Sequence, residues 1–183
     1  MDNKDNLIEI IKLCKGKDSN AQHKLFNLYK DKMYAVCLRY SKSNTEAEDM
    51  MMEGWMRIFQ YIAGYEFVGS FEAWMKRIMI NNAINSYKAN IKHNSLAHQV
   101  IERNTEGVFE NDYLYTEEEL IKCVQRLPNS LRVLFNLSAI DEYSNKEIAE
   151  LLNQTPDSIK SNLYKARKVL RDELTRIKED GNR

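Results

Sequence analysis

A cluster of cationic and hydrogen-bonding side chains recurs at helical spacing in the last third of the chain. Residues 157–171 hold five lysines and arginines against one acid, a local net charge of +4. Apolar residues recur there at spacings of four, three and four, which predicts a helix with one buried face. The opposite face then carries Lys160, Ser161, Asn162, Tyr164, Lys165, Arg167 and Lys168. Such a face can contact phosphates and base edges in the major groove of DNA.

A second, shorter helix is predicted immediately before the basic one. Ser144 is a suitable N-cap for it, and the apolar residues that follow lie on one face. Asn153 and Gln154 supply a short turn, and residues 155–157 (Thr-Pro-Asp) have the composition of a helix start. A single basic helix is more often an ordinary solvated amphipathic helix. The capped partner helix at a short turn instead favours a helix-turn-helix.

Composition indicates an all-α protein in the cytoplasm. The 183 residues include two prolines and six glycines, and β-branched alternation is scarce. Hydrophobic residues make up 43% of the chain and charged residues 30%, typical of a soluble protein with packed cores. No run approaches the roughly 18 apolar residues of a membrane span, and residues 1–5 do not resemble the start of a signal peptide. We therefore expect no membrane insertion.

The cysteines and histidines do not form a recognisable metal-binding pattern. Cys14, Cys37 and Cys123 are far apart and each has apolar neighbours at helical spacing. The three histidines add no zinc-ligand spacing. We expect buried or incidental thiols, no metal site and no cofactor.

Charge is strongly segregated although the formal net charge is zero. Residues 44–53 carry four acids and no base, whereas residues 72–92 carry a net charge of +3. Residues 94–119 carry a net charge of −6. Two basic segments separated by acidic ones can hold nucleic acid at two places and a different partner at a third.

Hydrophobic periodicity divides the chain into two small helical domains. Four helices are predicted within residues 5–92, and a helical domain ending in the helix-turn-helix within residues 114–178. Between them, residues 93–113 are polar and acidic without a sustained apolar stripe, which predicts a flexible linker. Ser70 and Thr116 are the expected N-caps of the fourth helix and of the first helix after the linker.

Several motifs together resemble the bacterial sigma-70 family, specifically its extracytoplasmic-function (ECF) group. In the second half, Leu127-Pro128 before an apolar helix and the segments 143–149 (YSNKEIA) and 159–167 (IKSNLYKAR) resemble its promoter-binding domain. In the first half, residues 47–55 resemble the polymerase-binding helix, and residues 69–85 resemble the segment that engages melted DNA. The resemblance covers roughly residues 20–92 and 115–175, in the family's order and spacing.

The resemblance implies a protein that makes and breaks no covalent bonds but recognises promoters and directs transcription initiation. For the upstream −35 element it implies base or groove contacts from Lys160, Ser161, Tyr164 and Lys165, with Asn162 on the same helix. Arg167 and Lys168 are better placed for phosphates. For the melted −10 element it implies a basic, amide-bearing track and a loop aromatic, namely Phe67, Arg77, Asn81, Asn85 and Lys88.

Docking on core RNA polymerase is the third task that the resemblance implies. The expected partner is the pair of clamp helices of the largest subunit, and the expected residues are Glu48, Asp49, Glu53 and Trp55. Met52 stands where the family usually has an amide, and Gly54 is expected to interrupt the helix. The resemblance also makes an anti-sigma factor a candidate partner, although no residue identifies one.

Two other functions compete with this interpretation. A two-domain helix-turn-helix regulator that replaces no sigma factor explains the second half, but its first half should contain a ligand pocket or phosphoacceptor site. A metal-dependent nuclease needs a cluster of histidines and acids, which the sequence does not show. Binding to core RNA polymerase distinguishes the sigma factor from both.

Overall fold

The protein is all-α, as predicted. The computed structural model describes residues 3–93 and 115–181, and no β-strand occurs within these ranges. Contacts divide the chain into two compact units, Met1–Ala83 and Ile84–Arg183. The predicted linker lies outside the described residues except for His93, which ends a helix. In the described part of the chain, no helix has both the length and the apolar character needed to cross a membrane.

The first unit is built from four helices, the last of which extends beyond it. They are α1 (Asn3–Lys15), α2 (Ser19–Tyr40), α3 (Asn44–Tyr61) and α4 (Phe71–His93). Oxygen atoms of Asp18, Ser43 and Ser70 accept hydrogen bonds from first-turn amides of α2, α3 and α4, at 2.7, 3.2 and 3.3 Å. These caps satisfy amides that the helices themselves leave unpaired, and Ser70 is the cap that the sequence predicted.

The core of the first unit is formed by apolar side chains from all four helices. The fully buried large side chains include Leu25, Met33, Ile58, Met75 and Met79. Cys14 and Cys37 are buried free thiols, as expected. Burial raises the pKa of Cys37 to about 12 and that of Cys14 to about 11, so neither forms an appreciable thiolate near neutral pH.

Gly54 does not interrupt α3, contrary to the sequence-based expectation. The helix runs through it without a break, and the residue is buried against α4. A Cβ atom at this position would overlap the sulfur atom of Met79. The Cys37 thiol approaches the same sulfur at 3.9 Å, so Met79 joins α2, α3 and α4. The helix-propensity cost of glycine is therefore offset by the close packing of Met79 against a position that carries no side chain.

The second unit contains the helix-turn-helix. Its described helices after the linker are α5 (Glu117–Arg126), α6 (Asn129–Phe135), α7 (Asn145–Leu152) and α8 (Pro156–Gly181), with a π-helical turn at Asn136–Ile140. Capping boxes begin α5 and α7. The Thr116 hydroxyl accepts from the amide of Glu119 at 3.2 Å, and the Thr116 amide donates to the Glu119 carboxylate at 2.8 Å. Ser144 and Glu147 form the same pair at the same two distances.

The turn between α7 and α8 has the predicted position. Asn153 adopts a left-handed conformation with φ of 54°, which an asparagine tolerates better than most residues. The Thr155 hydroxyl then accepts from the amide of Ser158 at 3.2 Å and caps α8. The predicted stripe of α8 is buried throughout: Ile159, Leu163, Ala166 and Leu170.

A buried arginine closes the end of α5. Arg132, on α6, is 3% exposed and donates to the backbone carbonyls of Gln125 and Leu127 at 2.9 and 3.1 Å. Carbonyls at a helix C-terminus have no partner within the helix, so the guanidinium stabilises both the end of α5 and the turn to α6. Cys123 is buried beside Leu127 and Leu170, which join α5 to α8.

The Gly54–Met79 contact predicts that Gly54→Ala changes the free energy of unfolding in opposite directions in the parent and in a Met79→Ala background. Gly54→Ala should destabilise the parent, because the added methyl group displaces the buried Met79 side chain. In a Met79→Ala background the same change should be neutral or stabilising, since the space is then free and alanine favours the helix. We expect a coupling free energy of about 1 kcal/mol or more in urea unfolding.

Gly64→Ala is the control for this cycle, because a Cβ atom there meets no neighbour within 4 Å. If Gly54→Ala changed the unfolding free energy equally in the parent and in the Met79→Ala background, the packing explanation would be wrong.

Candidate functional site

The outer face of α8 presents the predicted cationic and polar side chains to solvent. Tyr164 is 71% exposed, and Lys160, Ser161, Lys165 and Arg167 are also exposed. Lys168 is half-buried, as is Asn162, which lies beside the apolar stripe. Because the stripe fixes the rotation of α8 in the core, the remaining side chains form one positive surface. Its first members lie within two turns of the helix start.

A second exposed surface runs along α4. Arg77, Asn81, Asn85 and Lys88 recur at spacings of four, four and three, and all four are exposed. These spacings place them on one side of a single continuous helix. Amides on such a face can hydrogen-bond exposed base edges, while the cations contact phosphates.

The loop before α4 holds Phe67 in an unusual conformation. Phe67 has φ of 61° and is 39% exposed, and Gly69 has φ of 75°. A positive φ is strained for a bulky residue, so neighbouring contacts must maintain it. The buried Tyr65 supplies two of them. Its ring centroid lies 5.3 Å from that of Phe67, and its hydroxyl donates to the Gly69 carbonyl at 3.2 Å.

An aromatic cluster supports this loop from below. The Tyr65 ring centroid lies 4.9 Å from that of Phe71 and 5.3 Å from that of Trp74. The Phe71 ring also contacts Tyr29 of α2, with centroids 6.2 Å apart. Packed aromatic rings therefore support the base of the loop, while the Phe67 ring remains partly exposed.

Glu72, the single acid in the sequence of α4, binds two lysines. One carboxylate oxygen lies 2.6 Å from the Lys32 nitrogen and the other 2.8 Å from the Lys76 nitrogen. Hydrogen bonds from Lys32 and then from Lys76 lower the pKa of Glu72, which keeps it ionised at neutral pH. Two lysines near the start of α4 are thereby partly neutralised.

The acidic surface of α3 is exposed, but one of its carboxylates is hydrogen-bonded within the protein. Glu48, Asp49 and Glu53 are all exposed, and Glu53 accepts hydrogen bonds from Arg57 at 2.9 Å and from Asn82 at 3.3 Å. The hydrogen bond from Arg57, assisted by that from Asn82, lowers the pKa of Glu53. Two methionines continue the Glu48 side of the helix at four-residue spacing: Met52, 54% exposed, and Met56, 66% exposed.

Trp55 lies in the core rather than on this surface. It is 2% exposed, and its ring packs between Phe26 and Phe59 at centroid distances of 5.2 and 5.4 Å. The structure therefore does not bring Trp55 to the surface beside the carboxylates.

Comparison with protein families identifies both halves. The model of sigma-70 region 2 matches residues 25–92, and the model of sigma-70 region 4 matches residues 117–170. Together the two ranges include all three surfaces and the Phe67 loop. The chain belongs to the sigma-70 family.

Individual relatives place the chain in the ECF group. The ECF RNA polymerase sigma factor SigW of Bacillus subtilis is 27% identical over 179 residues, covering 90% of this chain and 94% of the relative. The RNA polymerase sigma factor SigV of the same organism is 24% identical over 152 residues, covering 83% and 89%.

A solved structure supports the fold. The sigma factor RpoE of Bartonella quintana, in complex with the anti-sigma factor NepR, matches with a TM-score of 0.50 and 18% identity. The match covers 84% of this chain and 96% of that one.

Three residues of this sigma factor matter to the site although the sequence analysis did not single them out. Asn82 is buried and donates to the Met50 carbonyl and to Glu53, both at 3.3 Å. Lys32 reaches Glu72 from 40 residues away, and Lys15 reaches the Phe67 loop from α1. Of the three residues, only Asn82 could have been found from the sequence. It lies at helical spacing from Met75 and Met79, and an amide on such an apolar face requires hydrogen-bond partners.

Glu72 partly neutralises two lysines near the start of α4. If this end of α4 contacts melted DNA, as the resemblance implies, neutralising Glu72 should strengthen that binding. In reconstituted holoenzyme, Glu72→Gln should raise affinity for a premelted promoter severalfold. It should steepen the salt dependence of log K by up to about 0.7 for each lysine released to a phosphate. Fluorescence anisotropy across a salt series measures both quantities.

Glu66→Gln is the matched control, because Glu66 is an exposed acid in the same loop region. An equal gain in both variants would indicate a general charge effect and contradict a restraint by Glu72.

Proposed function

We propose that this sigma factor uses three surfaces for promoter recognition: the acidic start of α3 to bind core RNA polymerase, α4 with its preceding loop to hold the melted −10 element, and α8 to read the −35 element. The observation that carries the proposal is the exposed basic face of α8 in a capped helix-turn-helix. It occurs in the same chain as a second exposed face of amides and cations on α4.

The start of α8 suits base reading, and its later part suits phosphate binding. Lys160 and Lys165 project from the first turns of the helix, where a recognition helix enters the major groove. A lysine there can donate to the O6 and N7 atoms of guanine, worth about 1–3 kcal/mol for a good contact. Arg167 and Lys168 come later and contribute charge. Asn162 is half-buried beside the apolar stripe, so we assign it a supporting contact with DNA at the edge of the α8 surface.

The α4 surface and the Phe67 loop suit single-stranded DNA. Asn81 and Asn85 offer amide donors and acceptors to unpaired base edges, and Arg77 and Lys88 lie on the same side for phosphates. The partly exposed ring of Phe67 offers a stacking surface, which every base can use through its π-face. Removing a base from the duplex costs a few kcal/mol, which stacking and edge hydrogen bonds offset.

On the polymerase-binding surface, we assign direct contacts to Glu48 and Asp49. We assign Glu53 both a contact with polymerase and a structural role within the protein. The first two are exposed carboxylates that can face the basic side of a clamp coiled coil. Glu53 is already hydrogen-bonded within the protein, so replacing it would disturb α3 and α4 as well. Trp55 supports the surface from within. Met52 and Met56 extend the same side with adaptable apolar area.

The domain limits inferred from the sequence complete the proposal. Residues 5–92 form the polymerase- and −10-binding domain, residues 93–113 the linker and residues 114–178 the −35-binding domain. The limits of the two family matches, 25–92 and 117–170, support this division. We place its action in the cytoplasm, where RNA polymerase acts. RpoE of Bartonella quintana was solved with an anti-sigma factor, so we propose a partner of that kind here.

Charge reversal on α3 tests the docking function. Glu48→Lys with Asp49→Lys should lower affinity for core RNA polymerase by at least about tenfold at low salt, because like charges would then face each other. The melting temperature should hardly change, since exposed helix charges contribute little to stability. Native-gel titration with core enzyme and run-off transcription measure the effect.

Asp31→Lys, a reversal at an exposed site on α2, is the control and should bind core enzyme normally. Parent-like affinity of the double reversal would remove α3 from the docking surface.

A second pair of variants separates base reading from phosphate binding in α8. Lys160→Ala with Lys165→Ala should relax preference at particular upstream base pairs in holoenzyme transcription from a promoter library. Arg167→Ala with Lys168→Ala removes the same charge but should weaken all promoters similarly. The salt slope should fall by roughly 0.9 for each lost contact. None of the four lies on the buried stripe, so folding should persist.

If the first pair leaves base preference unaltered, α8 does not read base edges in the orientation proposed. If instead the second pair alters base preference selectively, the assignment of phosphate contacts is wrong.

A further inference from the structure

Lys15 connects α1 to the loop that carries Phe67. Its ammonium group lies 4.7 Å from the centroid of the Phe67 ring and also donates to the backbone carbonyl of Tyr65. One side chain therefore holds both the aromatic ring and the backbone two residues before it. Lys15 is itself half-buried, so the ammonium is partly shielded from water and its attraction to the ring is strengthened.

The loop needs such a contact because its backbone is strained. Phe67 has a positive φ, which bulky residues avoid, and Gly69 two residues later has one as well. Strained backbone persists only where surrounding contacts over-determine it. The contacts of Tyr65 fix one side of the loop, whereas Lys15 reaches it from a helix more than 50 positions earlier in the chain.

We propose that Lys15 is a positioning residue which holds Phe67 ready to stack on an unpaired nucleobase of the −10 element. The inference rests on the proposed function of the Phe67 loop and adds a residue outside the matched region 2 range of 25–92. The Lys15 ammonium lies over the Phe67 ring, and 39% of Phe67 nevertheless remains exposed. That exposed area is available to stack on a base. A pre-formed stacking surface binds a base without first ordering the loop.

The free protein offers a test that does not depend on promoter binding. Lys15→Met keeps the length and apolar character of the side chain and removes its charge and donors. Backbone amides of residues 65–70 should exchange faster with solvent in this variant, because the loop opens more often. Lys15→Arg should retain the exchange rates of the parent, since a guanidinium can both donate to the carbonyl and face the ring. Lys12→Met, which removes an exposed charge from the same turn of α1, should match the parent.

The second measurement is base selectivity on premelted promoters in reconstituted holoenzyme. Lys15→Met should reduce discrimination at one non-template position of the −10 element by roughly tenfold, the combined effect of one cation–π contact and one charged hydrogen bond. Lys15→Arg should restore it, and Lys12→Met should not change it. Core enzyme affinity should be the same in all three variants.

The outcomes separate failure of this inference from failure of the proposed function. The positioning role would be overturned if Lys15→Met left loop exchange unchanged, or if it raised loop exchange without changing base selectivity. In either case a loss of selectivity in Phe67→Ala would leave the proposed function of the loop intact. If Phe67→Ala also retains full selectivity, the placement of the −10 base at this loop is itself wrong.

Discussion

The close approach of α3 to α4 at Gly54 is the constraint on which the first unit depends. Met79 fills the space that a side chain at residue 54 would occupy, and its sulfur also contacts the Cys37 thiol of α2. Three helices thus meet at one buried side chain. The exposed acids of α3 and the exposed amides of α4 lie on the outer sides of helices whose inner sides share this contact. A shift in the core would displace both surfaces together.

Asn82 adds direction to this packing. An apolar contact tolerates some sliding, whereas a buried amide that reaches the Met50 carbonyl and Glu53 accepts only one register. Its neighbour Asn81 is exposed, about 100° away around the helix. Of these two consecutive asparagines, Asn82 fixes α4 against α3, and Asn81 is the one that the proposed function assigns to DNA. Glu53 is restrained by the same bond, which is why its carboxylate is less available to a partner than those of Glu48 and Asp49.

Local sequence signals predicted the elements well because the interactions that define them are local. The caps Ser144 and Thr116 bond to amides three residues later, and the α8 stripe repeats within one helix. Most of the features that were missed join residues distant in sequence. Glycine at residue 54 suggests a break by propensity, yet its partner is 25 positions away. Trp55 follows the motif of a binding helix, but its contacts with Phe26 and Phe59 place it inside. Lys15 is an ordinary cation until the fold brings it to the Tyr65 carbonyl, 50 positions away.

The balance of charge explains why separate surfaces need one another. The formal net charge of the chain is zero, so the free protein has no overall attraction to a polyanion. Each proposed DNA-binding surface holds only a few cations, and Glu72 offsets two further lysines near the start of α4. Affinity from so few phosphate contacts is weak and sensitive to salt. Two weak surfaces on one chain become strong when both engage the same DNA, because binding of the first raises the effective concentration of the second. In the proposed function, docking on polymerase through the acids of α3 adds a third attachment of opposite charge. Promoter affinity would then depend on simultaneous engagement of the three surfaces, which favours DNA bound to polymerase over DNA alone.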